Sequence, residues 1–203
     1  MDKRTKQSEM KEPCDMELII AYRNGSADAF DILYERYRRQ LYAYLNKLLP
    51  GHQAQADDMF QQTWIRAIAK LDRYQEREMF LAWLFRIAHN LTVDHFRASR
   101  RRNEEMLGET DAETAKVVEA AAGHASSPSG ELDRRELADA IDRAVEGLPP
   151  DQREVFLLRQ EDIAFREIAE IQNCSVNTCL ARMRYAVMNL RSVLREWMNK
   201  ESR

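Results

Sequence analysis

The chain has 203 residues, 44% of them hydrophobic and 32% charged, with a net charge of -3. It can bury one core or two small ones. No stretch approaches the roughly 18 apolar residues of a membrane span, and MDKRTKQSEMKEPCD lacks the apolar centre of a secretory signal, so a cytoplasmic protein without membrane insertion is expected. The acidic balance excludes coating of nucleic acid by bulk charge and leaves local basic patches as the route to DNA. Cys14, Cys174 and Cys179 form no CxxC pair, which supports neither a disulfide framework nor a zinc site, and no metal or cofactor is expected.

Glycine and proline are scarce, strand-like alternation is hard to find, and helical periodicity dominates, so the fold class is all-α. Residues 1–14 read as a disordered tail. A first helix runs over Met16–Asn24 and ends before Gly25. Ser26 is placed to cap a second, whose inward stripe is Phe30, Leu33, Tyr37, Leu41, Tyr44, Leu45 and Leu48, stopped by Pro50-Gly51. A third, from about Gln55 to Leu71, buries Phe60, Trp64, Ala67, Ile68 and Leu71. Its opposite face carries Asp57, Asp58, Gln61, Gln62 and Arg66, which taken alone is a solvated surface.

From Phe80 to Arg102 the chain reads FLAWLFRIAHNLTVDHFRASRRR. Leu81, Leu84, Phe85, Ala88, Leu91 and His95 follow the spacing of a buried helix face. Trp83, Arg86, Asn90, Asp94, Arg97 and Arg101 follow the same spacing on a neighbouring face, and Arg97, Arg100, Arg101 and Arg102 gather positive charge at the C-terminal end. Guanidinium groups pair with phosphates and an adjacent indole stacks on an unpaired base, the combination of a single-strand binder. The competing reading is a solvated helix whose arginines suit the negative end of its dipole.

Residues 103–130 are acidic, then Ser/Pro/Gly-rich, and read as a linker. Leu137, Ile141, Ala144, Val145 and Leu148 mark the next helix, and Asp151 with Glu154 reads as an acidic capping box for the following one, burying Val155, Phe156 and Leu158. Phe165–Ile171, a turn at Gln172-Asn173-Cys174, and a long helix capped by Ser175 have helix-turn-helix spacing. Ala169 sits where the helices cross, Asn173 where a left-handed backbone is needed and Cys179 at the apolar anchor. The long helix places Val176, Cys179, Met183, Ala186, Val187, Leu190, Leu194 and Trp197 inward. Ser175, Asn177, Thr178, Ala181, Arg182, Arg184 and Tyr185 form the outward set, suited to base edges and phosphates of a duplex.

Together these pieces resemble the sigma-70 family of transcription initiation factors, in its two-domain extracytoplasmic-function (ECF) group. ADDMFQQTWIRA at 56–67 resembles AEDLVQEVFLRA, WLFRIAHNLTVDHFR at 83–97 resembles WLxRIAxNxxxDxxR, and LPPDQREVFLLR at 148–159 with the segment at 165–191 resembles the family's region 4. The resemblance implies a region 2-like domain over 15–102 and a region 4-like helix-turn-helix domain over 131–203. It turns the polar face of Asp57, Asp58, Gln61, Gln62 and Arg66 into a dock for the β′ coiled coil of core RNA polymerase. It assigns the Trp83-to-Arg102 set to the -10 element and the 175–185 set to the -35 element, with the β flap as a second polymerase contact. It also implies that the turn at 72–79 receives a flipped base, that the linker threads into polymerase, and that an anti-sigma factor is a partner to look for. Leu180 and Ala181 stand where the family often has Lys and Ser, which shifts -35 affinity towards Arg182, Arg184 and the helix N-terminus. Asp162 stands where glycine is common.

The function expected is a sigma subunit that directs core polymerase to promoters and assists melting. The alternative is a helix-turn-helix regulator that binds operators without stable core binding. Catalysis is not expected, since His89 and His95 project from different helix faces and no nucleophile or phosphate-loop motif occurs.

Overall fold

The computed structural model describes residues 12–75, 79–107 and 130–201. Within these there are eight helices and no strand: α1 Asp15–Arg23, α2 Ala27–Leu48, α3 Gln53–Leu71, α4 Phe80–Leu107, α5 Gly130–Glu146, α6 Pro150–Gln160, α7 Phe165–Ile171 and α8 Val176–Glu201. The expected tail up to residue 11, residues 76–78 of the 72–79 turn, and 108–129 of the expected linker lie outside the described residues. The fourth helix passes the expected boundary at Arg102, because Asn103 to Leu107 includes good helix formers and the first glycine comes only at Gly108.

Three helix ends share one closing device. After α1, the N–H of Ser26 donates to Ala21 O and that of Gly25 to Tyr22 O, with Gly25 at φ +98°. After α6 the same pair is Ile163 to Leu158 and Asp162 to Arg159, and after α7 it is Cys174 to Ala169 and Asn173 to Glu170. Each needs one left-handed residue. Asn173 (φ +48°) supplies it as expected, and Asp162 (φ +58°) occupies it without glycine's freedom. Asp162→Gly is therefore expected to raise stability by about 0.5–1 kcal/mol, seen as a higher denaturant midpoint at unchanged m-value.

In the first bundle, α1 to α4 enclose Ile19, Leu33, Leu41, Leu45, Leu71, Leu84 and Phe85. Phe30, Tyr34 and Trp64 form one aromatic group, and Tyr37, Tyr74, Phe80 and Trp83 another. Arg23 ties α1 to the end of α3 by donating to Leu71 O and Tyr74 O at 2.7 Å each, which satisfies carbonyls that a helix end leaves open. The α3 stripe differs from expectation: Ala56, Met59 and Thr63 turn inward with Trp64 and Ala67, whereas Ile68 is exposed. Ser26 sits at the α2 N-cap but makes no side-chain cap bond.

In the second bundle, Val145, Leu148, Val155, Leu158, Ile163, Ile168, Cys179, Ala186 and Leu190 form the core. Leu137, Ile141 and Val176, expected inside, are exposed; Ala140 faces inward instead, letting α5 lie close to α8. The Asp151/Glu154 capping box does not form. Pro149 and Pro150 start α6 without it, since Pro150 has no N–H to satisfy and its φ is pre-set for a first helical position. Both carboxylates are thereby free for tertiary contacts.

The bundles lie against each other, α2 and α4 of the first meeting α6 and α7 of the second. Gln40 donates to Glu161, Lys47 to Asp142 and Arg86 to Glu170 across this boundary. At its centre is Glu154, only 4% exposed.

Candidate nucleic-acid interface

Three surfaces carry the residues singled out in the sequence. On α3, Asp58, Gln61 and Arg66 are exposed and Asp57 and Gln62 half-buried. Asp57 accepts from Tyr42 Oη at 2.9 Å and from Gln53 Nε2 at 3.1 Å, so its orientation is fixed before any partner arrives. Ile65, 58% exposed, and Ile68 continue the same face, one and two turns beyond Gln61. Exposed isoleucines set beside these polar groups distinguish the face from a uniformly polar one. Sequence reasoning passed over Ile65, although its spacing from Asp58 and Gln61 carried the signal.

On α4, Asn90, Asp94, Arg97, Arg100 and Arg101 are exposed, and the side chain of Arg102 lies outside the described residues. The set is not one open edge. Trp83 is half-buried, its ring 5.1 Å from that of Tyr74 and 5.4 Å from that of Phe80. Arg86 Nη2 donates to Glu170 Oε2 at 2.9 Å, reaching α7 of the other bundle. The buried stripe is wider than expected, since Phe80, Ala82, Ile87 and Thr92 join it, while His95 stays half-buried. Arg97, Arg100 and Arg101, beyond Asp94, thus form an accessible cationic surface on α4 that starts about four turns from Trp83, which packs on Tyr74 after α3.

On α8, Asn177, Thr178, Arg184 and Tyr185 are exposed, with the Arg184 guanidinium 5.4 Å above the Tyr185 ring. Ser175 caps the helix: the Thr178 N–H donates to Ser175 Oγ at 3.1 Å, and the two hydroxyls lie 2.8 Å apart. Both hydroxyls therefore engage the helix start, with one hydroxyl proton and several lone pairs of the two still open to solvent. Arg182, expected to reach DNA, is half-buried; it donates to Asp151 Oδ2 at 2.5 Å and to Gln172 Oε1 at 2.8 Å.

Two buried polar residues missed in the sequence organise the region between these surfaces. Glu154 Oε1 accepts from Tyr44 Oη at 2.6 Å and from His89 Nδ1 at 2.7 Å, and Oε2 accepts from Gln172 Nε2 at 2.8 Å. Burial pushes the Glu154 carboxyl up, but the His89 bond and charge, with the Tyr44 and Gln172 bonds, outweigh it and hold it below its usual value. Burial, then the Glu154 charge, pushes the Tyr44 hydroxyl well up, so it remains a donor. Arg153, 8% exposed, donates to Val145 O, Glu146 O and Leu148 O of its own bundle and to Leu48 O at the end of α2. Neither role was visible locally, because every partner but Glu146 and Leu148 lies eight or more residues away. Cys179 is buried where α7 and α8 cross, and burial, with the nearby Cys174, pushes its thiol up to about 11. Among the described residues no three His, Cys, Asp or Glu side chains converge as a metal site, and no helix is long and apolar enough to cross a membrane.

Comparison with known proteins gives this arrangement its context. Residues 33–102 match the family model Sigma-70 region 2, and residues 138–190 match Sigma-70, region 4. The ECF RNA polymerase sigma-E factor of Escherichia coli strain K12 is 30% identical over 172 residues, covering 83% of this chain and 88% of that protein. The RNA polymerase sigma-H factor of Pseudomonas aeruginosa is 29% identical over 173 residues, with the same coverage. The sigma factor RpoE, solved with the anti-sigma factor NepR from Bartonella quintana, shares the fold at a TM-score of 0.63 and 24% identity, covering 82% of this chain and 96% of that one. CnrH, solved with the cytosolic domain of CnrY, shares it at 0.60 and 23%, covering 90% and 97%.

A region 2 unit followed by a region 4 helix-turn-helix defines a transcription initiation factor of the sigma-70 type. The chain belongs to the ECF group of that family. Its function is that of a sigma factor directing RNA polymerase to promoters, and its partners are core polymerase and promoter DNA.

Proposed function

We propose a division of labour among the three surfaces. The α3 face of Asp57, Asp58, Gln61, Gln62 and Arg66, extended by Ile65 and Ile68, docks on the β′ coiled coil of core polymerase. The basic half of α4, with Trp83, Arg86, Asn90 and Asp94, engages the melted -10 strand, and the 72–79 turn beside Trp83 takes up an unstacked base. The start of α8, with Asn177, Thr178, Arg184 and Tyr185, reads the -35 duplex, and the second bundle also meets the β flap. The factor performs no chemistry itself and works in the cytoplasm. The observation that carries this reading is the contrast between two neighbouring helices: α3 presents carboxylates, amides and isoleucines, whereas the exposed end of α4 presents arginines. RpoE with NepR and CnrH with CnrY support a further partner, an anti-sigma factor.

The test is transcription in vitro with core polymerase and fragmented genomic DNA from the source organism. Initiation at discrete sites is expected; no initiation at any site would refute the reading. Gln61→Ala combined with Ile65→Arg, both at exposed positions, is expected to weaken core binding by about tenfold or more. Binding of single-stranded DNA by the free protein should be unchanged. A surface plasmon measurement against core polymerase checks the first outcome and fluorescence anisotropy the second.

A further inference from the structure

We infer that Leu180 is a specificity-determining residue of this chain, reading one thymine of the -35 element by packing against its C5 methyl group in the major groove. The inference rests on the assignment of α8 to the -35 duplex. Leu180 lies in the second turn of α8 and is 44% exposed; Val176, 41% exposed, stands one turn before it on the same flank. Asn177, also exposed, is three residues before Leu180. In a helix-turn-helix the N-terminal residues of the second helix meet the base edges, so these side chains hold the reading positions.

What they read follows from their chemistry. Arg182 is the only cation in the sequence from 175 to 183, and it donates to Asp151 Oδ2 and Gln172 Oε1. The bidentate contact of arginine with guanine is therefore missing from the start of the helix. A leucine side chain neither donates nor accepts a hydrogen bond, and thymine is the base that offers the major groove an apolar group. Over any other base Leu180 covers donors or acceptors without pairing them, which costs affinity. Against the thymine methyl both partners lose apolar surface to water. A leucine and a valine beside Asn177, Thr178 and Arg184, all exposed, make too small an apolar patch to hold a protein. They match a single methyl group.

The test uses the full-length chain in holoenzyme with core polymerase, on a promoter found by the transcription experiment above and randomised over its upstream element. Selected duplexes are expected to share a T·A pair. Changing that thymine to deoxyuridine removes only the methyl group and is expected to weaken binding about fourfold. In Leu180→Gln, whose new side chain suits a helix equally well, thymine and deoxyuridine should bind alike at that position. A uracil penalty that persists in Leu180→Gln belongs to the duplex itself and overturns the inference. So does a selected element with no uracil-sensitive position, or a Leu180→Gln chain that loses core polymerase affinity and keeps its base preference. Asn177→Ala combined with Arg184→Ala separates this inference from the reading beneath it. If that pair weakens duplex binding while uracil costs nothing, the -35 assignment stands and the methyl contact falls. If no shared element is selected and the pair changes nothing, both fall.

Discussion

Replacing Arg97, Arg100 and Arg101 together by alanine is expected to lower the affinity of the holoenzyme for single-stranded promoter DNA between about 10- and 100-fold at low salt. All three are exposed on the part of α4 that projects beyond the buried stripe. Each phosphate neutralised on a single strand releases about 0.7 counterion, so removing three guanidinium groups should flatten the plot of log affinity against log salt by about two. Alanine is a better helix former than arginine, and a fall in helicity cannot be the cause. Anisotropy titrations at several salt concentrations separate the readings. An unchanged slope would mean that these arginines do not meet phosphates, since α4 runs on to Leu107 and none of the three lies in its last turn.

Arg153→Ala is expected to be the most damaging single change to the second bundle. Its guanidinium is the shared donor for Val145, Glu146 and Leu148 carbonyls at the turn between α5 and α6, and for Leu48 at the end of α2. Alanine leaves these acceptors without their partner in a place water reaches poorly. A cost of about 2–4 kcal/mol is expected when several charge-assisted bonds go at once. For a chain of this size that corresponds to a Tm lowered by roughly 5–15 °C, read by calorimetry. Arg153→Lys should recover little, because one ammonium cannot span carbonyls that a planar fork reaches. Full recovery by lysine would mean that charge rather than geometry holds the turn.

The contrast between Arg97 and Arg153 indicates what was legible in the chain and what was not. Helix periodicity, glycine and proline punctuation, and the left-handed position at Asn173 are local properties, and they placed all eight helices within a few residues. Arg97 belongs to a run of charge that periodicity alone assigns to an outer surface. Of Arg153 and Glu154, adjacent in an ordinary-looking amphipathic segment, the first was not singled out and the second was read as a cap. Their partners come from α2, α4, α5 and the helix-turn-helix turn, and no window of sequence contains them together. The same limit explains Arg182, whose exposed-face spacing is right but whose side chain is captured by Asp151, 31 residues earlier. Ile68 failed for a different reason. Thr63, which is polar, took an inward position by donating to Met59 O at 2.7 Å, and small Ala56 with Met59 completed a stripe displaced from the expected one.

The Cys179 thiol has a consequence for chemistry on this protein. Thiolate, not thiol, attacks oxidants and alkylating reagents, and a buried group pushed up to about 11 is almost wholly protonated at neutral pH. Cys14 is exposed near the start of α1. Oxidative modification should therefore begin at Cys14 and reach Cys179 only when α7 and α8 separate. Labelling at Cys179 under native conditions would thus count how often the α7–α8 hairpin comes apart, with the exposed Cys14 as the internal standard.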